Sequence, residues 1–158
     1  MTVWWITLAS SYLLCLVAGM NAKTVYSNGH YTKKYNKFFS FMSVAILVLV
    51  AGLRSGIGDT PTYIQGYKTD APSTIAGSIK LLFSGKKDAG FYFYQGILKS
   101  IVNNPNVFIF VTSLITIVLI FITYYKYSQL LELSVFLFIT TGCYLVTMNG
   151  IRQYLAIC

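Results

Sequence analysis

The sequence predicts an all-α integral membrane protein, a polytopic bundle of transmembrane helices with one long extracytoplasmic loop. Three observations predict it. Four long apolar runs fill nearly half of the 158 residues, almost all the charges lie between the runs, and only 10% of residues are charged against 56% hydrophobic. A soluble domain carries about 25% charged residues, and the mean hydropathy here is +0.64. The runs cover about residues 3–20, 38–53, 107–125 and 131–148. At about 1.5 Å rise per residue, runs of roughly this length suit a hydrocarbon core about 30 Å thick. Backbone in lipid has to satisfy its own N–H and C=O groups, so the runs read as helices.

The first run, 3–20, has no Lys or Arg before it, whereas a secretory signal needs a basic leading region and a small-residue cleavage site. It reads as a retained helix. Lys23, Lys33, Lys34 and Lys37 follow it, and by the positive-inside rule they place that loop in the cytoplasm, against anionic headgroups, and the N-terminus outside. The second run, 38–53, then exits near Arg54. The run 107–125 returns, residues 126–131 make a cytoplasmic turn, and 131–148 exits near Asn149. Residues 54–106 form the outer loop; it holds Lys68, Lys80, Lys86, Lys87 and Lys99, but long loops translocate largely regardless of charge. Trp4 and Trp5 sit at the outer start of the first run and Tyr124, Tyr125 and Tyr127 at the inner end of the third, as interface aromatics do. After Arg152 the sequence resumes an apolar trend through Tyr154-Leu155-Ala156-Ile157-Cys158. That predicts one membrane domain, 1–158, that continues into further helices.

The outer loop is too long for a structureless connection in a compact domain. Residues 54–61 read as a turn-rich exit. Residues 74–84 place Ile75, Ile79, Leu82 and Phe83 on one helical face, and 91–102 do the same with Tyr94, Ile97, Leu98 and Ile101. These predict two short amphipathic helices lying at the interface as a lid, joined by a polar turn at 84–90. Asn103-Asn104-Pro105-Asn106 is a second break before the third run. Tyr92 and Tyr94 read as interface anchors, His30 as a solvated side chain, and Cys15, Cys143 and Cys158 as small buried hydrophobes.

Arg54 and Arg152 are the only arginines, and both fall at the predicted outer face. A guanidinium offers five donors in a rigid fork that suits phosphate. Arg54 fits a snorkelling arginine equally well; Arg152, between two apolar stretches, fits that description less readily. Asp59 before Thr60-Pro61 reads either as a helix cap or as a functional carboxylate. Zinc, P-loop, dinucleotide and Ser–His–Asp signatures are absent, so no metal or cofactor is expected. The net charge of +8 is spread over both membrane faces and is not a nucleic-acid footprint.

Three stretches together carry a family resemblance. Ala51-Gly52-Leu53-Arg54, then Gly58-Asp59-Thr60 with Tyr63, resembles the opening signature of the EpsG family, membrane proteins akin to the Wzy polysaccharide polymerases. Asp88-Ala89-Gly90-Phe91, followed by Leu98 and Asn103-Asn104, resembles the second stretch, with Ala89 where members commonly carry Pro. Met148-Asn149-Gly150-Ile151-Arg152-Gln153-Tyr154-Leu155-Ala156 resembles the third. The resemblance spans essentially the whole chain, as the N-terminal half of a longer protein with a later histidine-containing motif.

It implies an enzyme of the bacterial cytoplasmic membrane that polymerises lipid-linked oligosaccharide repeat units into exo- or capsular polysaccharide at the outer face. The reaction is glycosyl transfer from a polyprenyl-diphosphate-linked glycan, and other polysaccharide export proteins are possible partners. On this reading Arg54 and Arg152 hold the diphosphate, and Asp59 is the base or orients Arg54. Tyr63, Asp88, Asn149 and Gln153 contact the substrate. The alternatives are a transporter or flippase subunit and a non-catalytic scaffold. A transporter is expected to show broken helices, mid-depth charge and internal repeats; the four runs carry no charge at mid-depth and no repeat is visible.

Overall fold

The computed structural model describes residues 2–27, 30–83, 85 and 87–157, without the side chains of residues 27 and 30–32. The readings of the His30 side chain, Ser84, Lys86 and Cys158 lie outside the described residues. In chain order the elements are α1 (Thr2–Met20), β1 (Lys23–Ser27), β2 (His30–Lys34), α2 (Lys37–Gly52), α3 (Thr60–Thr69), α4 (Ile75–Leu82), α5 (Ala89–Ile101), α6 (Pro105–Tyr127), α7 (Leu131–Thr140), α8 (Cys143–Asn149) and α9 (Ile151–Ile157). Helix dominates, as the composition predicts. Helices α1 and α6 are each long and apolar enough to cross a membrane, α7 and α8 are so only as a bent pair, and α2 is a shorter apolar helix.

The helix ends are set by local chemistry. Asn36 accepts from the Phe38 N–H (3.0 Å) at the start of α2, and Asn104 accepts from the Asn106 N–H (2.9 Å) at the start of α6. Both satisfy first-turn donors that have no helical partner. Pro105 then occupies the first turn of α6, where its missing N–H costs nothing.

One expectation is corrected, and one segment left without secondary structure gains it. The apolar run 131–148 is not one continuous helix: it bends by 57° between α7 and α8. Gly142 takes φ +82° there and its N–H closes on the Ile139 carbonyl (3.2 Å), a left-handed stop that only glycine adopts cheaply. The basic loop after α1 is a two-stranded antiparallel hairpin, with Lys23 opposite Lys34 and Thr24 opposite Lys33. Its strands are rich in Thr, Val and Tyr, residues that fit a pleated surface.

The bundle core lies among α1, α2, α6, α7 and α8, built on Cys15, Leu47, Ile117, Leu131, Val135, Tyr144 and Met148. Small residues let backbones approach. The Ser43 hydroxyl donates to the Ser11 carbonyl (3.1 Å) and the Cys15 thiol to Ser43 Oγ (3.1 Å), which joins α1 to α2. A Cβ at Gly52 would stand 2.5 Å from the Phe110 ring, so only glycine lets α2 and α6 meet there. Cys15 is buried as expected; Cys143, the first residue of α8, is exposed rather than buried. At the hairpin end, the Tyr35 hydroxyl donates to the Gln129 carbonyl (2.7 Å) and accepts from the Leu131 N–H (2.9 Å), which caps α7.

Residues 54–106 pack against α6 through helices α3 and α5. The sequence reading gave them two helices; a third, α3, occupies what was read as a turn-rich exit and its continuation. Tyr67 of α3 stacks on Phe108 of α6 with ring centroids 4.8 Å apart, and its hydroxyl donates to the Val102 carbonyl (2.9 Å). Lys99 of α5 donates to the carbonyls of Lys68 and Ala71, closing the end of α3. Tyr94 is not an interface anchor: it packs beside Phe108 and its hydroxyl pairs with Thr112 Oγ1 at 3.0 Å. Aromatic contacts therefore hold α3 and α5 against α6.

Candidate functional site

The site begins where helices break. Helix α8 ends at Asn149, Gly150 interrupts the chain, and α9 starts at Ile151, so Asn149, Arg152 and Gln153 all face one space. The start of α3 supplies Asp59 and Tyr63, and the turn before α5 supplies Lys87 and Asp88. Together they line a cleft of about 490 Å³. The structure thus gathers Asp59, Tyr63, Asp88, Asn149, Arg152 and Gln153, which sequence reading singled out, and adds Lys87, which it treated only as part of a polar turn. The adjoining acidic residue was the signal available for Lys87.

Arg152 pairs with Asp88 at 2.6 Å (Nη1 to Oδ2), and the two side chains are 47% and 35% exposed. The Tyr63 phenol does most to hold the Arg152 guanidinium above its ordinary pKa, ahead of the Asp88 charge and against partial burial, so the group stays cationic. Asp88 is the one non-glycine residue with positive φ (62°) among the described residues. Asp tolerates this left-handed region better than most side chains, yet it remains uncommon and is worth noting where it borders a cleft. Asp88 stands at the N-cap of α5 but makes no side-chain cap bond, because its carboxylate is turned to Arg152.

Asp59 also stands at an N-cap position, that of α3, and makes no side-chain cap bond. Its carboxylate has no hydrogen-bond or ion-pair partner among the described residues, which weighs against the capping reading. Tyr63 is steadied by Phe91, edge to face at 6.1 Å.

The Asn149 side chain occupies the space that a Cβ on Gly58 would fill. Gly58 has φ +56°, and a Cβ there would overlap the Asn149 side-chain oxygen. Gly58→Ala is therefore expected to strain the loop and push Asn149 from the cleft, destabilising the protein by about 1–3 kcal/mol. Gly56→Ala, with nothing within 4 Å of the new methyl, is the matched neutral control. Thermal unfolding of the two purified variants checks this.

Arg54 is not in the cleft. It is 7% exposed and hydrogen-bonded on every side. Its Nε donates to Thr60 Oγ1 (2.9 Å), Nη1 to the Ala51 carbonyl (2.7 Å) and Ser113 Oγ (3.0 Å), and Nη2 to the Met148 carbonyl (3.0 Å). Four of its five N–H donors are thus committed, and they tie the end of α2 to α3, α6 and α8. Burial lowers its pKa to about 10, which leaves it charged at neutral pH. It forms no ion pair with Asp59, and it does not share an anion site with Arg152 in this geometry. It stands behind the cleft, one residue from Asn149.

The arrangement offers two cations, two carboxylates, two amides and a phenol around one opening at the end of a helix bundle. Such a set suits an anionic, hydroxyl-rich substrate. Among the described residues no group of three or more His, Cys, Asp or Glu is placed to hold a metal. A family model described as the EpsG family matches residues 37–158. No curated protein and no solved structure matches the chain.

Proposed function

The chain belongs to the EpsG family, and from that premise, which with its apolar helices marks a membrane protein of polysaccharide biosynthesis, we propose that it joins lipid-linked repeat units into a polysaccharide. The proposed setting is the outer face of the bacterial cytoplasmic membrane, with the N-terminus and residues 54–106 on that face. The observation that carries the reading is the shared cleft in which Arg152 and Lys87 face Asp59 and Asp88.

In the proposed step, an acceptor sugar hydroxyl attacks the anomeric carbon of a glycan on a polyprenyl diphosphate. The new C–O bond forms as the bond from that carbon to the diphosphate oxygen breaks, and the diphosphate leaves with the electron pair. Negative charge grows on the leaving group, so cations placed there favour the transition state. Arg152, supported by Lys87, fills that role. Asp59, with its unpartnered carboxylate, takes the hydroxyl proton. Asp88 restrains Arg152 until substrate arrives. Tyr63, Asn149 and Gln153 hydrogen-bond the sugar or phosphate oxygens, and Arg54 positions the segment that carries Asn149. The lid excludes water that would otherwise take the place of the acceptor.

The test is polymer length in the full-length protein supplied with lipid-linked repeat units. Asp59→Asn is expected to leave membrane insertion intact and to slow extension about 10²–10⁴-fold, with Asp59→Glu restoring part. Full-length polymer from both Asp59→Asn and Asp88→Asn would remove the cleft from the chemistry. One observation favours the runner-up, passage of the lipid-linked glycan: the bend between α7 and α8 is a broken helix of the kind transport sites use. A variant that still moves the lipid across vesicles but no longer extends polymer separates the two.

A further inference from the structure

A second cavity lies on the other side of Arg54. It is a groove of about 630 Å³ between the first turn of α1 and the last turns of α2, walled by Val3, Trp4, Leu49 and Leu53 and closed at one end by Arg54 and residues 55–57. That volume falls in the range of about 300–1,000 Å³ typical of ligand pockets. Its walls are apolar and its closed end is not. Arg54 has one N–H uncommitted and no carboxylate partner among the described residues. The amides of Ser55, Gly56 and Ile57 donate to no group of the described residues, and open space surrounds Gly56. Consecutive free amides beside a cation make a concavity for an anion. An apolar trough ending in anion donors fits one chemistry, a hydrocarbon chain with a phosphate head.

We propose that this groove holds the apolar chain and proximal phosphate of a second lipid-linked molecule, the acceptor, while the Arg152 cleft holds the diphosphate of the donor. The assignment rests on the polymerase reading above, since joining two lipid-anchored glycans requires two anchor sites. The two cavities share no lining residue. Arg54 lines the groove and donates to the Met148 carbonyl, and Asn149, next along the chain, lines the cleft, so we take that junction as the wall between them. An acceptor seated in the groove would thus carry its glycan over that wall to Asp59 and Asn149.

The chain has two tryptophans, Trp4 in the groove and Trp5, which is 68% exposed. Trp5→Phe leaves Trp4 as the sole reporter, in the full chain reconstituted in phosphatidylcholine nanodiscs. Farnesyl phosphate is expected to change Trp4 emission saturably, with farnesol at least tenfold weaker. Leu49→Phe, which narrows the groove at a position facing outward, is expected to weaken the response at least tenfold; Arg152→Ala is expected to keep it. No saturable response, or equal responses to farnesol and farnesyl phosphate, overturns the proposal. Equal competition by phosphatidylglycerol also overturns it, since the groove then seats an ordinary phospholipid. Polymer length separates this proposal from the reading it rests on. If Leu49→Phe blocks the response yet polymer length is unchanged, the acceptor assignment falls and the cleft chemistry stands. If Asp59→Asn and Arg152→Ala both extend polymer normally, the cleft chemistry falls whatever Trp4 reports.

Discussion

Arg152→Ala is expected to abolish polymer extension while the protein still folds and inserts. The asymmetry follows from where the side chain stands. Its ion pair with Asp88 is half exposed, and exposed pairs contribute about 0.2–1 kcal/mol. Little stability is therefore lost, and a melting curve in detergent should move by no more than a few degrees. The rate is another matter. A donor aimed at developing charge in a sheltered site is worth about 10²–10³-fold, and Lys87 offers only a flexible point charge in its place. Arg152→Lys should recover a fraction, because an ammonium keeps the charge but not the fork that grips two phosphate oxygens. A ladder of unchanged length from Arg152→Ala would sink the assignment.

Arg54→Ala is expected to do the opposite, damaging the fold first. The guanidinium serves four acceptors: the carbonyls of Ala51 and Met148 and the hydroxyls of Thr60 and Ser113. Removing it deprives the Met148 carbonyl of its side-chain donor and leaves Ala51 only the long bond from Ser113 (3.4 Å) and Thr60 only its bond to the Ile57 carbonyl (2.6 Å), at about 1–3 kcal/mol for each group left unsatisfied. Partial relaxation keeps the total below the sum, and about 3–5 kcal/mol places the change among the most damaging single substitutions. The junction of α2, α3, α6 and α8 should loosen as a unit. Thr60→Val, which leaves only the Arg54 Nε–H and the Ile57 carbonyl without that partner, should cost less. Equal melting temperatures for Arg54→Ala and the parent would refute the structural role.

The difference between these two arginines marks what the sequence could and could not reveal. Both are isolated arginines at the ends of apolar runs, and sequence alone paired them over one anion. What separates them is contact with Ser113 and Met148, 59 and 94 residues away along the chain from Arg54. No local pattern encodes such distances. The cleft's other members were legible because they sit in three compact stretches whose order resembles a family, and the fold brings those stretches together. The apolar helices were legible from length and composition. The α7–α8 bend was not, since Thr140-Thr141-Gly142 is a faint interruption in an apolar run. Helix α3 was missed because Gly56, Gly58 and Pro61 read as breakers; Pro61 in fact lies in its first turn, where Pro is welcome. The hairpin did carry a signal: Asn28-Gly29 between two runs of β-favouring residues.

Asp88 has given its carboxylate to Arg152 and left the head of α5 without a side-chain acceptor. A phosphate that captured Arg152 would free that oxygen for the Ala89 and Gly90 amides, since Phe91 and Tyr92 already donate to the Asp88 carbonyl. Loading the opening and fastening the lid's third helix then become a single exchange of partners, so the cover would tighten because its latch has been bribed away, not because anything pushes it shut.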